Sequence, residues 1–123
     1  MRLLVGRAHA ATWIAEEAGQ IVGFAIVDWT EDDNETAAYV QTVEVAIEAR
    51  GQGVGRELLN RIEDSARLAE GRSIWLHVEE ENAAAIRLYE AQGYRCEGRE
   101  ENYYPGGRAA LIYVKRLGAE AAG

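Results

Sequence analysis

Three glycines in five residues make the segment Arg50-Gly51-Gln52-Gly53-Val54-Gly55 the most constrained part of this sequence. Residues 37–47, before it, are rich in β-branched and aromatic side chains, which predicts a strand. After it, apolar residues recur at helical spacing up to about Glu70, which predicts a helix. Because glycine has no Cβ, the chain can turn tightly here and leave the first amides of the helix uncovered.

Three strands are predicted before this loop. Thr12–Glu17 and Gln20–Trp29 are rich in strand-forming residues, and Ala18-Gly19 between them predicts a hairpin turn. The acidic segment Thr30–Glu35 is expected to be a loop, followed by the strand Ala37–Ile47. Alternation along this last strand predicts one face that carries Tyr39, Gln41, Val43 and Val45.

A helix and a strand are predicted next. The helix from Val54 is expected to stop at Gly71, and Ser73–Glu79 follows as a strand. One face of this strand is predicted to carry Ile74, Leu76 and Val78, and the other Trp75, His77 and Glu79.

The last elements are a second helix and a final pair of strands. Asn82 is a good N-cap for the helix, which Gly93 ends. Tyr94–Glu100 and Arg108–Leu117 are predicted to be antiparallel, joined by a loop over residues 103–107.

The order of strands, helix, strand, helix and strands indicates the α/β (α+β) class, with a mixed sheet covered by helices. With 123 residues the chain is expected to form a single domain, residues 1–123. Residues 1–11 receive no assignment, and the small-residue tail 118–123 is expected to be frayed.

Composition narrows the classes of function. A net charge of −8 disfavours a nucleic-acid binder, since phosphate contact needs a basic surface. One cysteine, Cys96, forms no intrachain disulfide or thiolate cluster, so no metal site is expected and a reducing cytoplasm is favoured. No apolar run approaches the roughly 18 residues of a membrane span.

The glycine loop can bind an anion despite this negative charge. Amides at a helix N-terminus carry partial positive charge, and Arg50 and Arg56 add two cations beside them. A purely structural turn is the alternative. The loop is not a Walker loop, because no Lys-Ser or Lys-Thr pair follows its glycines.

A second motif identifies a family. The strand Trp75-Leu76-His77-Val78 is followed by Asn82-Ala83-Ala84-Ala85-Ile86-Arg87-Leu88-Tyr89-Glu90-Ala91-Gln92-Gly93-Tyr94. With the Arg-x-x-Gly-x-Gly loop upstream, residues 12–117 resemble the GNAT superfamily of acetyl-CoA-dependent N-acetyltransferases. Glu101-Asn102-Tyr103-Tyr104-Pro105 narrows the likeness to the bacterial ribosomal-protein N-terminal acetyltransferases and their relatives.

This resemblance implies a mostly antiparallel sheet with splayed strands and a binding site for acetyl-CoA. The backbone of Val43, Glu44 and Val45 would pair with the pantetheine arm. The pyrophosphate would be held by Arg50, Gly51, Gln52, Gly53, Val54, Gly55 and Arg56. Asn82 would contact the cofactor, and Tyr89 would lie beside the sulfur and protonate the departing thiolate. The alternatives are a helix cap for Asn82 and a core aromatic for Tyr89.

On the acceptor side, the strand that bears His77 resembles that of the eukaryotic NatE-type N-terminal acetyltransferases. The likeness implies that His77 and Tyr39 hold a water that deprotonates the amine, against the alternative of a buried structural histidine. Tyr103 and Tyr104 would close over a peptide N-terminus, with Gln41 lining the same groove. A turn anchored by Pro105 is the alternative for the tyrosine loop.

One departure from the family affects the acceptor. The family begins with a strand and two helices before the hairpin, and here about eleven residues precede it. The acceptor site is therefore expected to be unusually open, or covered by another subunit, which makes a homodimer a candidate. The expected activity is acetyl transfer to a peptide N-terminal α-amine by direct attack on the thioester. The alternatives are a small-molecule amine, a lysine, or a non-catalytic acyl-CoA-binding module.

Overall fold

The computed structural model describes residues 1–7, 9–32 and 35–118. Within these ranges one sheet of seven strands is connected by two α-helices and a short 3-10 helix. In chain order these are β1 (Arg2–Arg7), β2 (Ala10–Glu17), β3 (Gln20–Asp32), β4 (Glu35–Val45), the 3-10 helix (Ile47–Ala49), α1 (Val54–Leu68), β5 (Gly71–Glu79), α2 (Ala83–Ala91), β6 (Arg95–Glu100) and β7 (Ala110–Arg116). The order across the sheet is β1-β2-β3-β4-β5-β7-β6, which confirms the predicted mixed α/β class.

The centre of the sheet contains a gap. Neighbouring strands are antiparallel except β4 and β5, which are parallel. Their ladder ends at the pair Tyr39–Trp75, although β4 continues to Val45 and β5 to Glu79. The two strands therefore splay beyond Tyr39 and Trp75, as expected.

Helix α1 forms the core with one face of the sheet. Its buried apolar residues are Leu58, Leu59, Ile62 and Ala66. The sheet meets them with small side chains, including Ala25 and Ala38, so the helix can approach closely. Burial of each large aliphatic side chain stabilises the fold by about 1.5–3 kcal/mol. Neither α1 nor α2, the α-helices of the described ranges, combines the length and apolarity that a membrane crossing requires.

A β-bulge at Gln41 makes one predicted face wrong. Ile26 pairs with Thr42 and Val27 pairs with Val40, so Gln41 is an extra residue on β4. An extra residue reverses the alternation of side chains beyond it. Val43 and Val45 therefore pack with the core below α1, whereas Tyr39 lies on the opposite face.

Strand β5 carries its two faces as predicted. Ile74, Leu76 and Val78 are buried, and Trp75, His77 and Glu79 lie on the half-buried opposite face. The expected helix stop at Gly71 is wrong, however. Glu70 adopts the left-handed conformation with φ 62°, and Gly71 is already the first residue of β5. Gly93, with φ 94°, follows α2 as predicted.

The N-terminal half contains more strand than expected. Residues 2–7, which had no assignment, form β1 and pair with β2. The hairpin turn at Ala18-Gly19 is confirmed. The loop expected over Thr30–Glu35 is wrong, because Thr30 pairs with Ala37 and Asp32 pairs with Glu35. Residues 33–34 and most of the predicted tail, 119–123, lie outside the described residues.

Candidate active site

The gap between β4 and β5 opens into a cleft of about 470 Å³. Its walls are the end of β4, the glycine loop, the start of α1 and one side of α2. The predicted cofactor residues that line it are Val43, Glu44, Val45, Arg50, Gly51, Gly53, Val54, Gly55, Arg56, Asn82 and Tyr89. Gln52 is exposed and lies outside this lining.

The N-terminus of α1 faces this cleft with uncovered amides. Gly53 is the N-cap residue, with φ 83°, and within the described residues no side chain caps the helix. The first N–H groups of a helix have no partner inside it and form the positive end of its dipole. A Cβ on Gly51 would meet no atom of the described residues within 4 Å, and a Cβ on Gly53 would lie 3.4 Å from the Arg56 guanidinium. This arrangement fits an anionic group such as a diphosphate.

The free edge of β4 forms the adjoining wall. On the side of β5, the described ladder of β4 stops at Tyr39, so the stretch Val43–Val45 is unpaired there. Arg50 donates from Nε to the carbonyl oxygen of Val45 at 3.1 Å, which ties the glycine loop to the end of this strand. An extended molecule with amide groups therefore finds a strand edge beside the anion site.

Helix α2 supplies the opposite wall. The Asn82 side chain caps this helix by accepting from the amide of Ala85 at 3.2 Å, as predicted for its alternative role. Tyr89 is 8% exposed and lines the cleft. Burial, followed by the nearby charges of Glu44 and Tyr104, raises the pKa of the Tyr89 phenol to about 12. Tyr89 therefore keeps its proton at neutral pH and can donate a hydrogen bond into the cleft.

Tyr39 and His77 meet on the opposite face, where β4 and β5 begin to part. The Tyr39 hydroxyl and His77 Nδ1 are 2.8 Å apart, so the two side chains bond directly. The His77 side chain is 10% exposed, and its Nε2 lies 3.0 Å from Glu100 Oε1. The predicted pair is therefore joined in one hydrogen-bonded chain with a carboxylate.

Aromatic rings surround this pair. Trp75 lies 4.6 Å from Tyr39 and 5.3 Å from His77 between ring centroids, and Tyr103 stacks on His77 at 4.4 Å. Burial, followed by the neighbouring hydroxyl of Tyr103, raises the pKa of Tyr39 to about 12. The Tyr39 phenol is therefore protonated at neutral pH.

The loop between β6 and β7 connects the two parts of the site. The Tyr104 ring lies 4.9 Å from that of Tyr103, and the proximity of Tyr104 helps to raise the pKa of both Tyr39 and Tyr89. Burial, then the neighbouring Tyr103, raises the pKa of Tyr104 as well. Gln41, at the bulge, donates to the Asp28 carboxylate at the margin of the same face.

Glu100 is the site residue that the sequence did not predict. His77 pairs with Ile112 of β7, Ile112 pairs with Gly98 of β6, and Glu100 stands two residues further on the same face. No local motif marks this carboxylate, because it reaches His77 only through the order β5-β7-β6.

Comparisons with known proteins agree with this architecture. A sequence model of the acetyltransferase (GNAT) family matches residues 2–94. Streptothricin acetyltransferase of Streptomyces lavendulae is 33% identical over 100 residues, which cover 80% of this chain and 52% of that protein. The ribosomal protein bS18-alanine N-acetyltransferase of Escherichia coli K12 is 34% identical over 87 residues, or 71% of this chain and 56% of that enzyme.

A solved structure of an acetyltransferase superposes on this fold. Arabidopsis thaliana Naa50, in complex with a bisubstrate analogue, superposes with a TM-score of 0.78 and 27% identity, over 85% of this chain and 71% of that chain. The chain spans about half the length of the curated relatives it matches. Since the family model covers most of the described fold and both curated relatives exceed 30% identity, this chain belongs to the acetyltransferase (GNAT) family.

Proposed function

We infer that this chain transfers an acetyl group from acetyl-CoA to a peptide N-terminal α-amine. The observation that carries the inference is the splay of β4 and β5. Beyond the pair Tyr39–Trp75, an anion-binding cleft opens on one side of the sheet, and the bonded Tyr39–His77 pair lies at the same gap. A group bound along the gap can therefore meet a proton acceptor.

The cleft suits coenzyme A in three parts. The amides at the N-terminus of α1, with Arg50 and Arg56, hold the diphosphate. The unpaired edge of β4 at Val43–Val45 accepts the amide groups of the pantetheine arm. Tyr89 lines the same cleft and would lie beside the thioester. When bound, acetyl-CoA supplies an acetyl group that an amine nitrogen can attack directly.

The two tyrosines take different parts in this reaction. Tyr39 and His77 accept the proton that the attacking amine loses. The Tyr89 phenol, with its pKa of about 12, donates a hydrogen bond to the leaving sulfur. A thiol has a pKa near 8.5, so full transfer of the Tyr89 proton costs about 5 kcal/mol. Stabilisation by donation is therefore favoured over the complete protonation expected from the family likeness.

An α-amine is the acceptor whose deprotonation at pH 7 costs less free energy than that of a lysine. Its pKa of about 7.7–8.0 means that losing a proton at pH 7 costs about 1 kcal/mol, against about 5 kcal/mol for lysine near 10.4. Two relatives support the choice, since one is named for acetylating the alanine of a ribosomal protein and the other was solved with a bisubstrate analogue, CoA-Ac-MVNAL.

A small-molecule amine is the second candidate. Streptothricin acetyltransferase is 33% identical to this chain, and its name describes a small acceptor. β1 ends at Arg7 and β2 begins at Ala10, so within the described residues no helix lies between those strands to cover the acceptor face. An open face favours acceptors of varied shape.

Thiol release from acetyl-CoA separates these functions. The panel contains a peptide with a free α-amine, the same peptide with a blocked N-terminus and an internal lysine, and small diamines. Release with the free α-amine peptide alone is expected. Release only with the lysine peptide or the diamines assigns the alternative acceptor. Stoichiometric coenzyme binding with no release on any acceptor assigns a binding module and contradicts the proposal.

A further inference from the structure

We propose that Glu100 is a positioning residue that fixes the His77 ring so that Nδ1 accepts a proton through Tyr39. The inference rests on the proposed acetyl transfer and concerns how the Tyr39–His77 pair acts as its base. It makes Tyr39, His77 and Glu100 one proton relay, in which the carboxylate comes from a strand two places away in the sheet.

The donors and acceptors of these three side chains fix the direction in which the proton moves. An ionised carboxylate only accepts, so the contact of 3.0 Å to Glu100 requires a proton on His77 Nε2. A neutral imidazole with a proton on Nε2 has a lone pair on Nδ1. The Tyr39 hydroxyl, 2.8 Å away, therefore donates to Nδ1. Its oxygen, which also lies within hydrogen-bonding reach of Tyr103, keeps a lone pair that can accept a proton from an amine.

Neighbouring carboxylates have other partners. Glu80 lies 2.9 Å from Arg99, which also binds Glu101, and Glu79 lies 3.2 Å from Arg108. Among the ion pairs of the described residues, the partner of Glu100 is His77. Glu100 therefore remains available to stabilise positive charge on the ring.

The proton movements balance in one concerted step. As the amine nitrogen forms its bond to the acetyl carbon, the bond from that carbon to sulfur would break, and its electron pair would leave on coenzyme A as the thiolate, which the Tyr89 phenol stabilises by a hydrogen bond. In the same step the amine proton passes to the Tyr39 oxygen while the Tyr39 proton passes to His77 Nδ1. The ring becomes an imidazolium, which faces the Glu100 carboxylate. Because burial holds the Tyr39 pKa at about 12, a free tyrosinate is unfavourable, and simultaneous transfer avoids it. Loss of the extra proton to water restores the neutral ring.

The groups that face His77 define its electrostatic surroundings. They are Tyr39 on β4, Glu79 on its own strand, Glu100 on β6, and Tyr103 in the following loop, which in turn contacts Tyr104. Ile112, its partner on β7, is apolar. Glu100 is the carboxylate bonded to the ring, so its removal changes the charge at Nε2 most directly.

The kinetic test compares Glu100→Gln with Glu97→Gln. Glu97 is on the same strand, is 46% exposed against 49% for Glu100, and pairs with Arg116. We expect Glu100→Gln to lower kcat at pH 7 by about three- to tenfold, a size set by its solvent exposure, with KM for acetyl-CoA unchanged. Glu100→Asp restores part of kcat. Equal kcat values for Glu100→Gln and Glu97→Gln would overturn the inference while leaving acetyl transfer intact.

A second readout does not depend on activity. Ring ¹⁵N chemical shifts report which nitrogen carries the proton, and His9 provides the reference signal. We expect His77 in the wild-type protein to carry its proton on Nε2 at pH 8, and Glu100→Ala to give a mixture of the two tautomers. A proton on Nδ1 in the wild-type protein would overturn the relay even if every acceptor in the panel failed.

Discussion

His77 is held on three sides, by Tyr39 at Nδ1, Glu100 at Nε2 and the Tyr103 ring stacked on its face. A buried imidazole needs hydrogen-bond partners whether its role is structural or catalytic. A ring that takes up a proton needs in addition a fixed tautomer and a nearby negative charge, and Tyr39 and Glu100 lie where they supply both. The contacts fit both roles, so the base stays a prediction.

Replacing His77 tests this role. His77→Ala is expected to lower turnover at pH 7 by at least about tenfold. Removal of a general base commonly lowers the rate by about 10² to 10⁴. Affinity for acetyl-CoA is expected to stay near wild type, because His77 lies outside the coenzyme cleft. Steady-state kinetics and a binding titration measure the two quantities.

His9 offers the matched control. Its main-chain oxygen accepts from Trp29, and its side chain is exposed, so His9→Ala should retain full turnover. Equal turnover of both variants and the wild-type enzyme would return His77 to a packing role.

At the scale of single residues, the sequence predicted what a motif contains. His77 and Tyr89 were identified because they lie within segments that resemble the family, and Tyr39 from its distance before the glycine loop. The structure brings Tyr39 and His77 into contact. Glu100 was not predicted, because no motif near it in the sequence indicates a contact with His77. The predicted face was wrong for Val43 and Val45, because the bulge at Gln41 leaves no trace in an alternating pattern.

At the scale of elements, α1 carries a buried charge that joins three parts of the fold. Glu63 is 2% exposed, accepts from the Tyr94 hydroxyl at 2.8 Å, and pairs with Lys115 of β7 at 2.9 Å. The periodicity of α1 predicts its apolar stripe but not this residue. A buried carboxylate is tolerated only when partners satisfy it. Arg67 pairs with Glu63 from the same helix, and the other two partners lie 31 and 52 positions away.

Breaking this network is expected to be costly for stability. Glu63→Gln leaves Lys115, which is 22% exposed, without its counter-charge, and should lower the free energy of unfolding by about 3 kcal/mol. Urea denaturation measures the change. Asp64→Asn is the control, because Asp64 is 65% exposed and its pairing with Arg67 should contribute less than about 1 kcal/mol. Equal stabilities of the two variants would contradict the network's role.

At the scale of the whole molecule, the class of fold followed from the order of elements, and the splay followed from the family likeness. Strand β1 was not predicted, because a short apolar run such as residues 3–5 fits a helix or a strand equally well. Only pairing with β2 decides it. Cover of the acceptor face by a second copy of the chain stays a prediction.

Alkaline pH should weaken the entire fold. Burial raises the pKa of Tyr89 from 10 to about 12, so the folded chain holds this proton more tightly than the unfolded chain. Its contribution to the free energy of unfolding is complete below about pH 10 and is lost as pH rises through 12. Removing the hydroxyl with Tyr89→Phe should therefore reduce the loss of stability between those pH values, by up to about 3 kcal/mol. Urea denaturation at pH 8, 10 and 11 measures this slope, and an identical slope in both proteins would refute the assignment.

Calorimetric titration with coenzyme A tests the central claim, that uncovered amides at the start of α1 hold a diphosphate. The comparison variants are Gly53→Val and Gly19→Val, which alter glycines of nearly equal φ, 83° and 80°, inside and outside the cleft. We expect saturable binding by the wild-type protein, similar binding by Gly19→Val, and a Kd at least about tenfold higher for Gly53→Val, a difference of about 1.4 kcal/mol. Wild-type affinity in a folded Gly53→Val variant, or no binding by the wild-type protein, would contradict it.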